Sequence, residues 1–239
     1  MSEIPILYED NHLLVVVKPP NLLSQGDATG DADLLTLTKE YIRDTYDKPG
    51  NVYLGLVHRL DRPVGGVMVF AKTSKAAGRL SEQIRERKFG RGYLAVVEGH
   101  PEPIRGRLQS YLLKDKTKNL VQMVGPGVPG AQEAVLDYEV LDMTRSQSLV
   151  RITLQTGRSH QIRVQMAERG HPLLGDRRYG PRKNERQQIA LWAERISFVH
   201  PTTKEKLEFA QLPPAVKPVQ RLLAPLRSKW PCLWGCQSA

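Results

Sequence analysis

The sequence predicts an α+β protein, and three observations carry that expectation. Four β-type segments, RLQSYLL, LVQMV, VLDYEVL and LVRITLQ, crowd residues 104–156, separated by loops. Segments with helical spacing interrupt the strands without the regular βαβ alternation of a doubly wound sheet. At 239 residues and 40% apolar content, the chain is long enough to bury a core as one large domain or two small ones. No repeat, low-complexity tract or linker is visible. We therefore expect one catalytic-size unit over 1–211 and an irregular tail over 212–239.

The elements follow in order. HLLVVV, 12–17, is an unbroken apolar run and reads as a strand that stops at Lys18-Pro19-Pro20. Residues 21–33 carry the Gly, Asp and Asn of a loop. A helix follows, with Leu34, Leu37, Tyr41 and Ile42 on one face and Asp33 as its N-cap. VGGVMVFAK, 64–72, is a strand, and Thr73 or Ser74 caps the next helix, whose apolar face holds Ala77, Leu80 and Ile84. Its other face mixes Arg79, Arg85, Arg87 and Lys88 with Glu82 and Glu86. GYLAVVEG, 92–99, is again a strand. After the β-rich stretch, Ser159 opens a short helix, SHQIRVQMAER, that Gly170 closes. IALWAERISFVHP and EKLEFA, 189–201 and 205–210, are two further strands. From residue 212 the chain has five prolines and two tryptophans, Trp230 and Trp234, and reads as surface tail.

Thirty-five Lys and Arg against 25 Asp and Glu give a net charge of +10. That balance favours an anionic partner, nucleic acid first and an acidic membrane second. No window has the length of apolar sequence that spans a membrane, and MSEIPILYED has no signal-peptide pattern. The two cysteines, Cys232 and Cys236, lie in the tail without further ligands nearby. Their scarcity suggests a reducing, cytoplasmic setting and no metal site.

Three constellations could carry chemistry. In VHRLDRPVGGVMVF, 57–70, Asp61 sits between Arg59 and Arg62 among apolar neighbours. A part-buried carboxylate needs a partner to stay ionised, and an ionised one could be a nucleophile or an electrostatic stabiliser. The same residues would equally suit a structural Asp–Arg pair or an Asx turn at Arg62-Pro63. In LQTGRSHQIRVQMAERGHPLLGD, 154–176, a strand meets a helix start that could bind an anion, with Arg158 and His160 at that edge. Arg163 lies a turn further in, among Ile162, Val164 and Met166, and should pair with an acid; a snorkelling surface arginine is the plain alternative. Tyr93, opening the strand 92–99, reads by itself as a core tyrosine. GHPLLGDRRYG, 170–180, is turn chemistry, made basic by Arg177 and Arg178, which suits phosphate contact or plain solvation. No P-loop, GxGxxG, HExxH or GxSxG pattern occurs.

Together these segments resemble the RluA family of RNA pseudouridine synthases. HRLDRPVGG resembles the family's HRLDRxTSG signature, and TGRSHQIRVQMAERGHPLLGDRRYG its third block almost residue for residue. ILYEDNHLLVVVKPPNLLSQGD and RLSEQIRERKFGRGYLAVVEG resemble its opening and its tyrosine strand. The likeness runs in order from about Ile6 to His200. It implies a mixed, largely antiparallel central sheet with an active-site cleft across it, and cofactor-free isomerisation of uridine to pseudouridine in RNA, ribosomal or transfer. It gives Asp61 the role of essential aspartate, Tyr93 of active-site tyrosine and Arg163 of the basic residue paired with that aspartate. Arg59 matches the arginine that fills the helix when the target base leaves it. Arg62, His58, Arg158, His160, Arg177 and Arg178 complete the expected RNA-binding set. Val64 and Gly65 depart from the usual Thr-Ser, Gly92 precedes Tyr93, and Trp192 stands where a His is frequent; substrate fit is where these should matter. The chain opens directly on the catalytic domain, so the accessory RNA-binding domain of many relatives is not expected, and a monomer is the default.

The chemistry breaks the bond from ribose C1′ to uracil N1 and rejoins the base through C5. A uracil anion spreads its charge over the ring, so one carboxylate is enough where a glycosidase uses two. Asp61 either attacks C1′ or assists elimination from C2′. Tyr93 bounds the base, and a share in removing the C5 proton is open to it. A base inside a helix must first be flipped out, at a cost of roughly a few kcal/mol, and an arginine plane can stack in the gap. Two other readings share these residues: a hydrolytic N-glycosylase that admits water to C1′, and a catalytically idle RNA-binding or ribosome-assembly module.

Overall fold

An apolar run without polar alternation must be covered on both faces. In the computed structural model, which describes residues 4–115, 117–181 and 188–214, strand β2 (Leu13–Lys18) is accordingly buried at every position. The chain divides into two compact units. The first runs to Arg91 and takes in Ala193–Gln211; the second is Gly92–Trp192 and continues from Leu212. Both boundaries fall inside strands, in β5 (Gly90–Glu98) and β10 (Leu191–Val199), so there is no linker for composition to reveal.

In the first unit β2 pairs antiparallel with β1 (Ile6–Glu9) and with β4 (Gly65–Ala71). The two-residue β3 (Gly55–Leu56) adds to β4, and β11 (Lys206–Ala210) pairs antiparallel with β10. Helices α1 (Leu34–Thr45) and α2 (Ser74–Arg85) begin as expected. Asp33 accepts a bond from the Thr36 amide at 3.0 Å, and Thr73 from the Ala76 amide at 3.1 Å. Leu13, Val15, Val67, Val69, Leu80 and Phe198 form the core with Phe89, whose ring stacks on Phe198 at 5.4 Å. The register that matters most pairs Lys18 with Gly66. It sets the stem of Lys18 beside the turn that carries Asp61.

The second unit is an antiparallel sheet. β5 pairs with β9 (Gln147–Leu154), β9 with β8 (Gln132–Met143), β8 with β6 (Arg105–Asp115), and β6 with β7 (Leu120–Val124), all antiparallel, in the order β5-β9-β8-β6-β7. The one helix described here, α3 (Gln161–Glu168), packs Val164 against Leu112, Val121 and Ala134. The class is thus α+β with a largely antiparallel arrangement. Two short strands, β1 and β3, were not apparent from pattern alone. One expectation needs correction: Ser159 does not cap α3. The cap is His160, in the left-handed region at φ 53°, with no side-chain cap bond. The Gln161 side chain instead braces the turn before the helix, accepting from the Arg158 amide at 3.1 Å and the Thr156 hydroxyl at 2.8 Å. Gly170 ends the helix at φ 81°, as expected. The tail lies outside the described residues beyond Pro214.

Candidate active site and RNA-contact residues

Asp61 lies in a tight turn between β3 and β4. Its carbonyl accepts the Val64 amide at 2.9 Å, so Arg62 and Pro63 form the turn's centre. The turn is held from below by the loop that follows β2. The Ser24 hydroxyl donates to the Leu60 carbonyl at 2.7 Å and accepts the Leu60 amide at 3.1 Å. Val64, in place of the family's usual threonine, is buried at 2% exposure, so an apolar side chain fits that position of the turn.

Lys18 is the residue the sequence reading passed over. It is fully buried, and its ammonium donates to the carbonyls of Leu22 (2.6 Å), Pro19 (3.1 Å) and Arg62 (3.1 Å). The bond to Arg62 spans 44 positions and ties the end of β2 to the residue next to Asp61. Burial drives the Lys18 amine down to about 7; the Asp61 carboxylate opposes that shift and the Arg62 charge adds to it.

The neighbours of Asp61 differ in kind. Arg59 is exposed and has no side-chain partner among the described residues. Arg62 is also exposed, but it bonds Asp31 at 2.7 Å and the Asn21 carbonyl at 3.3 Å. His58 accepts the Val69 amide at 3.1 Å and packs its ring on Phe89 at 5.4 Å. Burial, and after it the Arg91 charge, push this imidazole down to about 3. It is neutral at pH 7 and offers a phosphate no charge; its bonds brace the approach to β4.

In the second unit Tyr93 is buried on β5, opposite Ile152 of β9. Arg163, on α3, forms a two-pronged pair with Asp176: Nε and Nη2 each stand 2.8 Å from a carboxylate oxygen. The sequence reading took Asp176 as turn punctuation; it does hold that turn, and the pairing with Arg163 is a second role that the sequence did not show. Its side chain is fully enclosed, and it also accepts the amides of Arg178 (2.9 Å) and Tyr179 (3.2 Å). Burial alone would raise the Asp176 carboxyl. The bonds and charge of Arg163, with those amides, outweigh it and hold the group below its ordinary value.

The remaining predicted contacts are mostly engaged. Arg158 donates to the Glu133 carbonyl at 2.8 Å, and His160 Nδ1 lies 2.7 Å from the Tyr179 hydroxyl. Arg178 bonds the Asn119 carbonyl. Arg177 is exposed and without a side-chain partner among the described residues. A surface recess of about 280 Å³, lined by Lys48, Asn51, Tyr53 and Lys72, lies at the far end of β4 from Asp61. Among the described residues no His, Cys, Asp or Glu side chains cluster as metal ligands, and no helix is long and apolar enough to cross a membrane.

These motifs match a known group. Residues 12–168 match the RNA pseudouridylate synthase family. An uncharacterized RNA pseudouridine synthase of Bacillus subtilis is 35% identical over 206 residues, covering 85% of this chain and 67% of the relative. A ribosomal large subunit pseudouridine synthase D of Zymomonas mobilis is 33% identical over 221 residues, covering 87% and 69%. The chain thus spans about two thirds of the length of these relatives. The solved human RNA pseudouridylate synthase domain containing 1 is 26% identical with a TM-score of 0.70, covering 91% of this chain and 86% of that one. Human domain containing 4, at 24% identity and a TM-score of 0.77 over 93% of each chain, shares the fold. The chain belongs to the RNA pseudouridylate synthase family, in its RluA type. It is an RNA pseudouridine synthase, an isomerase.

Proposed function

We propose that this enzyme converts uridine to pseudouridine in ribosomal RNA, with a catalytic domain spanning 1–211. Asp61 supplies the carboxylate at ribose C1′. Tyr93 bounds the uracil ring, and Arg163 is the basic residue of the reaction. The C1′–N1 bond breaks, the uracil anion turns, a C1′–C5 bond forms, and the proton on C5 is lost as N1 gains one. Mass is unchanged, and the step needs no cofactor or metal.

One observation carries this reading above the others. The turn bearing Asp61 is clamped by Lys18, by Ser24 and by its own 2.9 Å backbone bond, while Arg59 beside it is exposed and holds no side-chain partner among the described residues. A carboxylate carried on a fixed turn next to an exposed arginine suits an acid that acts on a flipped nucleotide while the cation fills the gap or meets phosphate. Arg177 joins Arg59 as a phosphate contact. Arg62, Arg158, His160 and Arg178 act mainly by shaping the RNA-facing loops, since each already holds a neighbour. Ribosomal RNA is favoured because similar proteins are named for the ribosomal large subunit. The scarcity of cysteines supports work in the cytoplasm, and we take the chain to act as a monomer.

Pseudouridine mapping of total RNA tests this, in cells with the gene intact, deleted or carrying Asp61→Asn. We expect one or more ribosomal sites to vanish in both altered strains. Loss only in the deletion would move the chemistry off Asp61. Loss at transfer RNA sites would change the substrate. Release of free uracil by the purified protein would make it a glycosylase, and no change in any RNA would leave a binding module.

A further inference from the structure

Arg163 is held more firmly than a surface cation needs. Two nitrogens of its guanidinium meet both oxygens of Asp176 at 2.8 Å, and its side chain is only 8% exposed. The Tyr179 ring lies under the guanidinium, 5.2 Å from its central carbon. Tyr179 is itself fixed, because its hydroxyl donates to or accepts from His160 Nδ1 at 2.7 Å and accepts the Val121 amide of β7 at 2.9 Å. The loop that carries both residues is closed by the Gly180 amide on the Asp176 carbonyl at 3.0 Å. A side chain at 180 would come within 2.5 Å of that carbonyl, so only glycine allows this closure. Upstream, the Leu174 amide donates to the Val96 carbonyl at 2.9 Å and anchors the loop to β5.

A buried ion pair of this kind adds little net stability over an apolar replacement, because desolvation offsets the attraction. What a two-pronged pair does supply is angle: a planar fork against a planar carboxylate fixes the guanidinium in rotation as well as position. We infer that Asp176 and Tyr179 are positioning residues of the isomerisation, setting the orientation in which Arg163 presents its charge. This rests on the role proposed above for Arg163. The loop GDRRYG is then the mounting of the arginine, and its own exposed cations are secondary.

The test uses the full chain and an RNA carrying the uridine whose modification depends on Asp61. Turnover and KM are measured for Arg163→Met, Asp176→Asn, Asp176→Glu, Tyr179→Leu and the double variant Arg163→Met/Asp176→Asn, each normalised to its folded fraction. We expect Asp176→Asn to lower kcat by on the order of 100-fold with KM little changed. Asp176→Glu, which keeps the charge but displaces it, falls between. Tyr179→Leu lowers kcat by about 10-fold. Added to Arg163→Met, Asp176→Asn costs nothing further, because the group it positions has gone. Wild-type kcat in folded Asp176→Asn, with Arg163→Met inactive, overturns this inference and leaves the role of Arg163 intact. Wild-type kcat in Arg163→Met overturns that role instead. Should Asp176→Asn fail to fold, normal kcat in both Asp176→Glu and Tyr179→Leu overturns the inference.

Discussion

Lys18 shows how one side chain can be legible in identity and illegible in role. Lys18-Pro19-Pro20 reads as a strand stop, and nothing local says that the ammonium turns inward. It does so because three carbonyls, including Arg62 from 44 positions away, together replace its water. The consequence is a pH dependence of known sign. The amine stands at about 7 in the folded chain and at 10.5 as its ordinary value. Below 7 both states hold the proton, and the cost of burying it is felt in full. Between the two values the unfolded chain holds a proton that the folded chain lacks, so this lysine's contribution to stability rises with pH. Relative to Lys18→Met, the wild type should gain about 1 kcal/mol per pH unit between about pH 7.5 and 9, read by urea titration. A constant difference would mean that the amine titrates as it does in water. The second role of Asp176 was missed for the same reason. In GHPLLGDRRYG it has the company of a turn residue, and only folding brings Arg163, 13 positions back, onto it.

At the scale of elements, local rules succeeded wherever the determinants are local. Asp33 and Thr73 cap their helices because a short polar side chain can reach an amide three residues on. Ser159 could have done so too, but the strand-to-helix turn places His160 at the cap with no side-chain cap bond, and buried Gln161 braces the turn that precedes it. β3 escaped notice because two residues carry no period. Gly66 and Gly78 separate packing from propensity. Gly66 sits in β4 at φ 129°, and a side chain there would run into the Ala193 backbone, 2.6 Å from its nitrogen. Gly78 lies in α2 with nothing within 4 Å. Gly66→Ala should therefore cost more than about 2 kcal/mol, and Gly78→Ala should gain about 0.5–1 kcal/mol. Denaturant midpoints for the two variants check both signs. A neutral Gly66→Ala would show that β4 can shift to relieve the strain.

For the whole molecule, the +10 charge predicts RNA affinity that falls steeply with salt. Arg59 and Arg177 are the exposed cations of the site set that hold no protein partner among the described residues. Each should carry close to one counterion's share. Arg59→Ala and Arg177→Ala should each flatten the plot of log affinity against log salt by about 0.7–0.9, measured by anisotropy with labelled ribosomal RNA. Arg178→Ala should flatten it less, because that side chain is already spent on Asn119. The amino-acid sequence by itself determined the α+β class, the main strands and helices, the anionic partner, and the two motifs that place Asp61 and Arg163 in a pseudouridine synthase. Periodicity, capping and composition are properties of neighbours along the chain. Only the tertiary structure decided that the chain forms two compact units divided within β5 and β10, that Lys18 underpins the Asp61 turn, that Asp176 and Tyr179 hold Arg163, and that His58 is a neutral brace. Those depend on burial and on partners far away in sequence, where desolvation and packing, not local preference, set what a side chain does.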